Sequence, residues 1–260
     1  MTYIVILIIS FSAALLGTIC GIGGGVVLKP LMDAMSGLGI AEINFLSGCT
    51  VLCMSSYSVL KEKVSRRSVI DQKVTPFLGI GSAVGGLLGK QIFQIMWYKM
   101  GDTGKLRIIQ AVLLMVITAA TLAYTFQEKN CRTYRMNGKG TAAFIGGVLG
   151  VFSAFLGIGG GPMNLVVLYT FYSMSPKAAA SNSLYIIMLS QLASILWTAG
   201  TKELPNVSPV LLIGMSACGI TGGMAGRKIQ KKIEDNTVNK LFRLFLVIIL
   251  GICVYNISSH

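Results

Sequence analysis

Long apolar blocks separated by short polar segments make up most of the chain. Four blocks are nearly free of charge, and four more are slightly more polar. Each is close to or above the roughly 20 residues with which an α-helix crosses a bilayer. The pattern predicts an all-α polytopic membrane protein. The blocks are residues 3–28, 107–126, 141–171 and 206–226, and the more polar residues 42–60, 74–97, 178–200 and 241–257.

Two of the apolar blocks are interrupted by the same five residues. The run GIGGG at 21–25 returns unchanged at 157–161. Glycine weakens a helix and adopts backbone conformations that other residues avoid. We therefore predict a helix in each block that is broken, or turned back as a re-entrant hairpin, at its glycines. In transporters, paired interruptions of this kind mark the substrate site.

A second match at nearly the same shift indicates an internal duplication. Residues 85–90, GGLLGK, correspond to residues 222–227, GGMAGR. We predict a first membrane repeat at 1–126, a basic linker at 127–140 and a second, homologous membrane repeat at 141–260.

The basic residues between the blocks distinguish two topologies. If all eight blocks simply cross, each side collects ten Lys and Arg residues, and no orientation bias results. If each glycine-interrupted block returns to its own side, 16 of these residues fall on one side and 4 on the other. The positive-inside rule favours the second topology. It gives each half three crossings, which predicts an inverted repeat with both termini outside and the linker 127–140 in the cytoplasm.

Composition narrows the class of protein further. Hydrophobic residues make up 53% of the chain and charged residues 12%, about half the charged fraction of soluble domains. The net charge of +13 lies in the loops, where Lys and Arg orient a membrane protein and contact anionic lipid. Nucleic-acid binding is therefore the weaker interpretation. The first block has no basic segment before Tyr3, so we expect it to be retained and not cleaved as a signal peptide.

The groups needed for catalysis or metal binding are missing from the sequence. The one histidine is His260, and the six cysteines form no CxxC pair. A nucleophile with a base, or a metal cluster, cannot be assembled from such residues. We therefore predict no enzyme, no catalytic residue, no metal and no cofactor. Only Asp33 and Glu42 among the nine acidic residues are expected to reach the membrane interior.

The helices that resume after the glycine runs offer a site for an anion. We expect them to begin at Val26 and Pro162, since proline suits a first helical position. A helix start presents unpaired N–H groups and a partial positive charge of roughly half a unit. Two starts that meet near the membrane centre would bind a small oxyanion such as sulfite, a sulfonate or a carboxylate. The glycines predicted to bind substrate are Gly23, Gly24, Gly25, Gly159, Gly160 and Gly161.

The alternative is that glycines only allow helices to pack closely. We favour packing for the four-residue spacings of Gly81, Gly85 and Gly89 and of Gly222 and Gly226. Hydroxyl and amide groups near the runs could donate to the anion, or could only bond between helices or to their own helix backbone. The polar candidates are Ser47, Thr50, Asn164, Ser181, Asn182 and Ser183.

Lys29 is the unusual charge in this region, one turn into the first resumed helix. It could attract the anion, or it could pair with Asp33 four residues later and reach towards the interface. Its counterpart in the second repeat is Leu165, so that either role would be asymmetric.

These motifs carry a resemblance to a known family. Residues 21–31, GIGGGVVLKPL, their echo at 157–161 and the segment SNS at 181–183 resemble the sulfite exporter TauE/SafE family. The resemblance implies a plasma-membrane permease for small sulfur-containing or organic anions, built from two related halves. Two features depart from the family pattern and affect substrate identity more than fold. One is Lys29, and the other is that the second motif continues as Pro162-Met163-Asn164 without the later proline found at Pro30 in the first.

The sequence thus predicts a secondary transporter that moves a small anion between two inverted halves. The alternative is a non-transporting membrane subunit, or a channel-like facilitator of another small solute. The expected partners are the anion and the lipid bilayer, and self-association is left open.

Overall fold

A computed structural model of the chain describes residues 2–64, 69–100, 103–127, 133–136, 138–201 and 204–258. In these ranges the chain forms ten α-helices and no β-strand, which confirms the all-α prediction. Residues 128–132 and 137 of the predicted linker lie outside the described residues. The helices are α1 (Thr2–Cys20), α2 (Gly25–Met35), α3 (Ile40–Val64), α4 (Thr75–Met100), α5 (Thr103–Gln127), α6 (Lys139–Leu156), α7 (Pro162–Tyr172), α8 (Pro176–Gly200), α9 (Pro209–Lys232) and α10 (Asp235–Ser258).

Seven of these helices are long and apolar enough to cross a membrane, namely α1, α3, α5, α6, α8, α9 and α10. The chain is therefore a multi-pass membrane protein. Although α4 has 26 residues, it is not among the seven, because Lys90, Gln91 and several glycines lower its mean hydropathy. At 11 residues each, α2 and α7 extend about 16 Å, roughly half the hydrocarbon thickness.

Both glycine runs interrupt the helical chain as predicted. The first separates α1 from α2, which begins at Gly25, one residue before the expected Val26. The second separates α6 from α7, which begins at the expected Pro162. Positive φ angles at Gly23 (81°) and Gly159 (71°) explain why glycine is needed, since other residues adopt such angles at a cost.

Small residues let helices of one half lie directly against helices of the other. Along α4, successive glycines contact successive turns of α6, so that the two helices run in the same direction. A Cβ atom on Gly81, Gly85 or Gly89 would collide with the carbonyl oxygen of Ala143, Gly147 or Val151, respectively. The packing role predicted for these glycines is confirmed.

The same arrangement recurs between α9 and α1. A Cβ on Gly222 would collide with the Phe11 carbonyl oxygen, and one on Gly226 with that of Leu15. These glycines are thus packing residues as well, and α9 runs parallel to α1.

Two further helix pairs, α3 with α9 and α8 with α4, are also parallel. Gly219 and Gly223 of α9 lie against Thr50 and Met54 of α3, so that α3 also runs parallel to α9. In the other half, Gly86 lies beside Ser190 and Lys90 bonds the Ser194 carbonyl. Consequently α8, like α6, runs parallel to α4.

The helices α3 and α8 run in opposite directions. Gly48, in the first half of α3, lies beside Gln191 of α8, whereas Lys63 at the end of α3 lies over the Tyr185 ring, nearer the start of α8. Because the residue number falls along α8 as it rises along α3, the two helices are antiparallel.

The helices α5 and α10 also run in opposite directions. The Arg243 guanidinium, early in α10, donates to the Thr125 carbonyl at the end of α5. Cys253 and Asn256, late in α10, share a small cavity with Gln110 of α5. Hence α5 and α10 are antiparallel as well.

Candidate functional site

The two glycine runs meet backbone to backbone inside the protein. A Cβ on Gly25 would collide with the Ile158 carbonyl oxygen, and one on Gly160 would lie 3.4 Å from the Ile22 carbonyl oxygen. Both runs also lie beside Ile187 of α8. A side chain at Gly25 would therefore separate the two runs, whereas one at Gly160 would collide with the Ile187 side chain.

The starts of α2 and α7 carry no side-chain cap. Gly24 and Gly161 occupy the N-cap positions, and neither can offer a side-chain acceptor to the first N–H groups. Pro162 follows Gly161 and lacks an N–H group of its own. The two starts thus supply backbone donors and partial positive charge next to the junction of the runs.

A cavity of about 370 Å³ extends from the second glycine run to the surface. It lies between the first half of α3, the ends of α4, α6 and α8, and the segment that follows α8. Its walls combine apolar and aromatic side chains with a few polar groups, as is typical of ligand sites. The polar lining side chains are Asn44, Lys90, Gln94, Gln191, Ser194 and Thr198.

Gln191 connects this cavity to the glycine run. Its Oε1 atom lies 2.9 Å from where a Cβ on Gly48 would be, and its Nε2 atom lies 2.9 Å from where a Cβ on Gly159 would be. The amide therefore fills the space that the two missing side chains leave. The sequence prediction missed Gln191, although an isolated glutamine in the apolar block 178–200 was the available signal.

Lys90 supplies positive charge to the cavity. Its ammonium donates to the Ser194 carbonyl, at 3.1 Å, and to the Thr198 hydroxyl. Among the described residues that line the cavity, no side chain is acidic. The sequence prediction did not include Lys90, because a lysine within an apolar block could not be placed on either side.

The predicted residues on α3 differ in what they contact. Ser47 donates to the Gly157 carbonyl at 3.3 Å and thereby touches the second glycine run. Thr50 donates to the Leu46 carbonyl of its own helix at 2.8 Å. Ser47 thus lies at the junction, whereas the hydroxyl of Thr50 is occupied by back-bonding.

Asn182 on α8 connects the helix to the segment before α4. Its Oδ1 accepts from the Asp71 amide at 2.9 Å and from the Thr75 hydroxyl. Its Nδ2 donates to the carbonyls of Val69 and Ala178. Four bonds to protein groups give this amide a structural role.

The remaining predicted side chains are all buried. Ser181 and Asn164 are 6% and 3% exposed, and Asn164 lines a small cavity together with Gly160 and Gly161. The hydroxyl of Ser183, the counterpart of Ser47, is buried without a hydrogen-bond partner among the described residues.

The Lys29 side chain, on α2, reaches the carboxyl-terminal end of α6. Its ammonium donates to the Leu156 carbonyl at 2.5 Å and to Gln110 Oε1 at 2.6 Å, and Gln110 in turn donates to the Phe155 carbonyl. The last carbonyls of a helix lack intrahelical partners and carry partial negative charge. The buried ammonium therefore caps α6 immediately before the second glycine run.

We expect Lys29→Met to lower the free energy of unfolding by about 2 kcal/mol, because the α6 carbonyls lose a charged partner inside the protein. Lys29→Ala should cost more, but n-propylammonium should restore most of the loss by entering the vacated space. The measurement is thermal unfolding of purified protein. Rescue of Lys29→Met to the same extent, or no rescue of Lys29→Ala, would contradict this capping role.

One acidic residue departs from the sequence-based expectation. The expectation admitted only Asp33 and Glu42 to the interior, but Glu62 is 4% exposed and forms an ion pair with Arg227. Glu42, by contrast, accepts from the Gly39 amide at an exposed position. Asp33 lies 3.9 Å from the Arg107 guanidinium. Glu62 was missed because it lies two residues past the apolar block 42–60, where sequence does not distinguish a loop from a helix end.

Comparison with known proteins now identifies the family. The profile of the family described as Sulfite exporter TauE/SafE matches residues 6–254. The chain is 21% identical over 271 aligned positions to the Bacillus subtilis protein described as "Probable membrane transporter protein YunE", with 96% of each chain covered. No solved structure matches the chain significantly. The chain belongs to the TauE/SafE family and is a multi-pass membrane transporter, not an enzyme.

Proposed function

We propose that this chain is a secondary transporter of a small anion, bound where the cavity of Lys90 and Gln191 reaches the junction of the glycine runs. One observation carries the proposal: a cavity lined by the half-buried Lys90 reaches Gly157, in the second of the two glycine runs that meet beside the uncapped starts of α2 and α7. Intramembrane charge is costly and is retained for ion and substrate pathways.

The groups around the cavity favour an oxyanion. Lys90 supplies a full positive charge, and Asn44, Gln94 and Gln191 supply amide donors without net charge. Hydrogen bonds from such donors stabilise an anion that has left water. A sulfite, a sulfonate or a small carboxylate has several oxygens that can accept from these groups together.

The proposed substrate site keeps part of the residue set predicted from sequence. The glycines at 23–25 and 159–161, with Ser47, form the junction and its edge. Asn164, Ser181 and Ser183 stay candidates for a later stage of the path. Thr50, Asn182 and Lys29 take structural roles, because their polar groups bond the protein's own backbone or side chains.

We further infer that the halves form an inverted repeat with two re-entrant hairpins. The opposite directions of α3 and α8, and of α5 and α10, support the inversion. Since α1 and α3 both run parallel to α9, both begin on the same side, and α2 must return the chain to that side. The same holds for α6, α7 and α8, because α6 and α8 both run parallel to α4.

This topology places the basic loops on the cytoplasmic side of the plasma membrane. The linker 127–140 and the loops after α3 and α9 would fall together there, in agreement with the positive-inside rule. The cavity lies towards the start of α3 and the ends of α4 and α8, and would therefore open to the outside.

We expect a small oxyanion to raise the melting temperature of the purified protein saturably, since a ligand that binds only the folded state stabilises it. The panel is sulfite, sulfate, thiosulfate, sulfoacetate, taurine, acetate and chloride at constant ionic strength. Lys90→Gln should weaken the response at least tenfold, whereas Lys99→Gln, at an exposed position of the same helix, should not. A folded protein indifferent to every anion would instead favour a non-transporting subunit or a facilitator of another solute.

A further inference from the structure

The duplication that produced the two halves also repeats the contact made by Lys90. Lys90 corresponds to Arg227 at a shift of 137 positions, and its partner Thr198 corresponds to Glu62 at a shift of 136. In the structure, Lys90 bonds Thr198 between α4 and α8, and Arg227 bonds Glu62 between α9 and α3. A cation thus contacts the same partner position in both halves.

The two copies differ in what surrounds the cation. Lys90 lines the 370 Å³ cavity. Arg227 and Glu62 are each 4% exposed, and Glu62 also accepts from the Val69 amide at 3.0 Å. Next to them, Gln230 donates to the Ile19 carbonyl at 2.9 Å and so ties α9 to the end of α1. The contact of Lys90 with Thr198 thus borders an open cavity, whereas the contact of Arg227 with Glu62 is enclosed by the protein.

A buried ion pair of this kind needs an explanation beyond stability. Removing two charges from water costs about as much as their attraction returns, so buried pairs contribute little net stability and are best attested in switches. Guanidinium binds carboxylates, and other anions with paired oxygens, through two parallel hydrogen bonds. The Glu62 carboxylate therefore presents to Arg227 the same chemistry as a small oxyanion substrate.

We propose that Arg227 is a second anion-binding residue, at the cytoplasmic end of the path, and that Glu62 occupies it while the cavity of Lys90 is open. When the halves exchange conformations, Glu62 leaves Arg227, the anion takes its place, and the cavity of Lys90 closes behind the anion. The ligand class is an anion with at least two equivalent oxygens, namely a carboxylate, sulfite or sulfonate. This inference rests on the proposed anion transport and on the inverted repeat.

Two single thiols in a cysteine-free background report which end is open. Ser194→Cys places a thiol in the cavity of Lys90, and Ser58→Cys places one a single turn before Glu62, at a buried position. We expect Glu62→Gln to raise maleimide labelling at position 58 at least fivefold and to lower labelling at position 194. Unchanged labelling at both positions in folded Glu62→Gln would overturn the inference.

A charge swap separates binding from simple pairing. In Glu62→Arg/Arg227→Glu the ion pair can re-form, so we expect protection of position 58 to return. Transport should stay below a tenth of the wild-type rate, because a carboxylate at position 227 repels the anion. If the swap restored transport together with protection, Arg227 would be only a structural partner.

Two further results keep the test decisive. If Glu62→Gln does not fold, Arg227→Lys serves instead: it keeps the charge but loses the two-pronged geometry, and should weaken transport of carboxylates and sulfonates more than that of chloride. Equal weakening of all these anions would overturn the inference. The response of the wild-type melting temperature to anions, and its dependence on Lys90, is unaffected by these outcomes and tests the proposed function separately.

Discussion

Gly25→Ala is expected to abolish transport in a protein that still inserts and folds. The added methyl group would collide with the Ile158 carbonyl oxygen, where the first glycine run touches the second. A backbone oxygen cannot rotate away, so that one run must move. A displacement of about 1 Å at a binding site can reduce its rate roughly a hundredfold. We therefore expect transport at about 1% of the wild-type rate.

The control for this variant is Gly251→Ala. Gly251 also lies within a helix, α10, and a Cβ there would have no atom within 4 Å. Alanine favours a helix over glycine by about 0.5–1 kcal/mol, so this variant should be as stable as the wild type or more so. Transport is measured in liposomes after monodispersity is checked by gel filtration. Normal transport by Gly25→Ala would mean that the runs are not tightly apposed.

Gly85→Ala is expected to destabilise the whole protein, because α4 and α6 come from different halves. The methyl group would collide with the Gly147 carbonyl oxygen in the tightest part of that contact. Overpacking of this kind typically costs 1–3 kcal/mol. Against the helix preference of alanine, we expect a net loss of about 1–2 kcal/mol, measured by thermal or denaturant unfolding in detergent.

The sequence match between residues 85–90 and 222–227 supplies a matched variant for this prediction. Gly222 is the counterpart of Gly85, and its Cβ would collide with the Phe11 carbonyl oxygen in α1. Gly222→Ala should therefore cost a similar amount. A neutral effect at both positions would show that the contacts between the halves are loose enough to accept a side chain.

Much of the fold could be predicted from the sequence because its signals are local. Apolar length indicates a membrane helix, and a run of glycines indicates where the helix breaks. The start of α7 at Pro162 and the packing role of Gly81, Gly85 and Gly89 followed from such patterns. The position of α4 among the spans was less clear, because Lys90 and Gln91 fall within its apolar block.

The cavity could not be predicted because it depends on which residues face one another. Gln191 and Asn44 come from different halves, and no spacing in the sequence relates them. The same limit applies to Glu62, which lies near a helix end and pairs there with Arg227 of α9. Pairing between distant helices must come from the structure.

Several polar residues near the glycine runs were predicted to bind substrate but bond the protein itself. The Asn182 amide forms hydrogen bonds with the segment before α4, and Lys29 caps α6. The sequence shows that such groups lie close to a helix break but not where they point. Since a break leaves backbone carbonyls without partners, some nearby polar groups must satisfy them.

The most direct test of anion transport through the glycine junction is counterflow of radiolabelled sulfite into liposomes containing the purified protein. We predict saturable uptake that sulfonates compete for, that falls at least tenfold in Lys90→Gln, and that is near background in Gly25→Ala. Uptake equal to that of empty liposomes, for sulfite and for every other anion of the panel, by protein shown to be folded and inserted, would contradict anion transport by this chain.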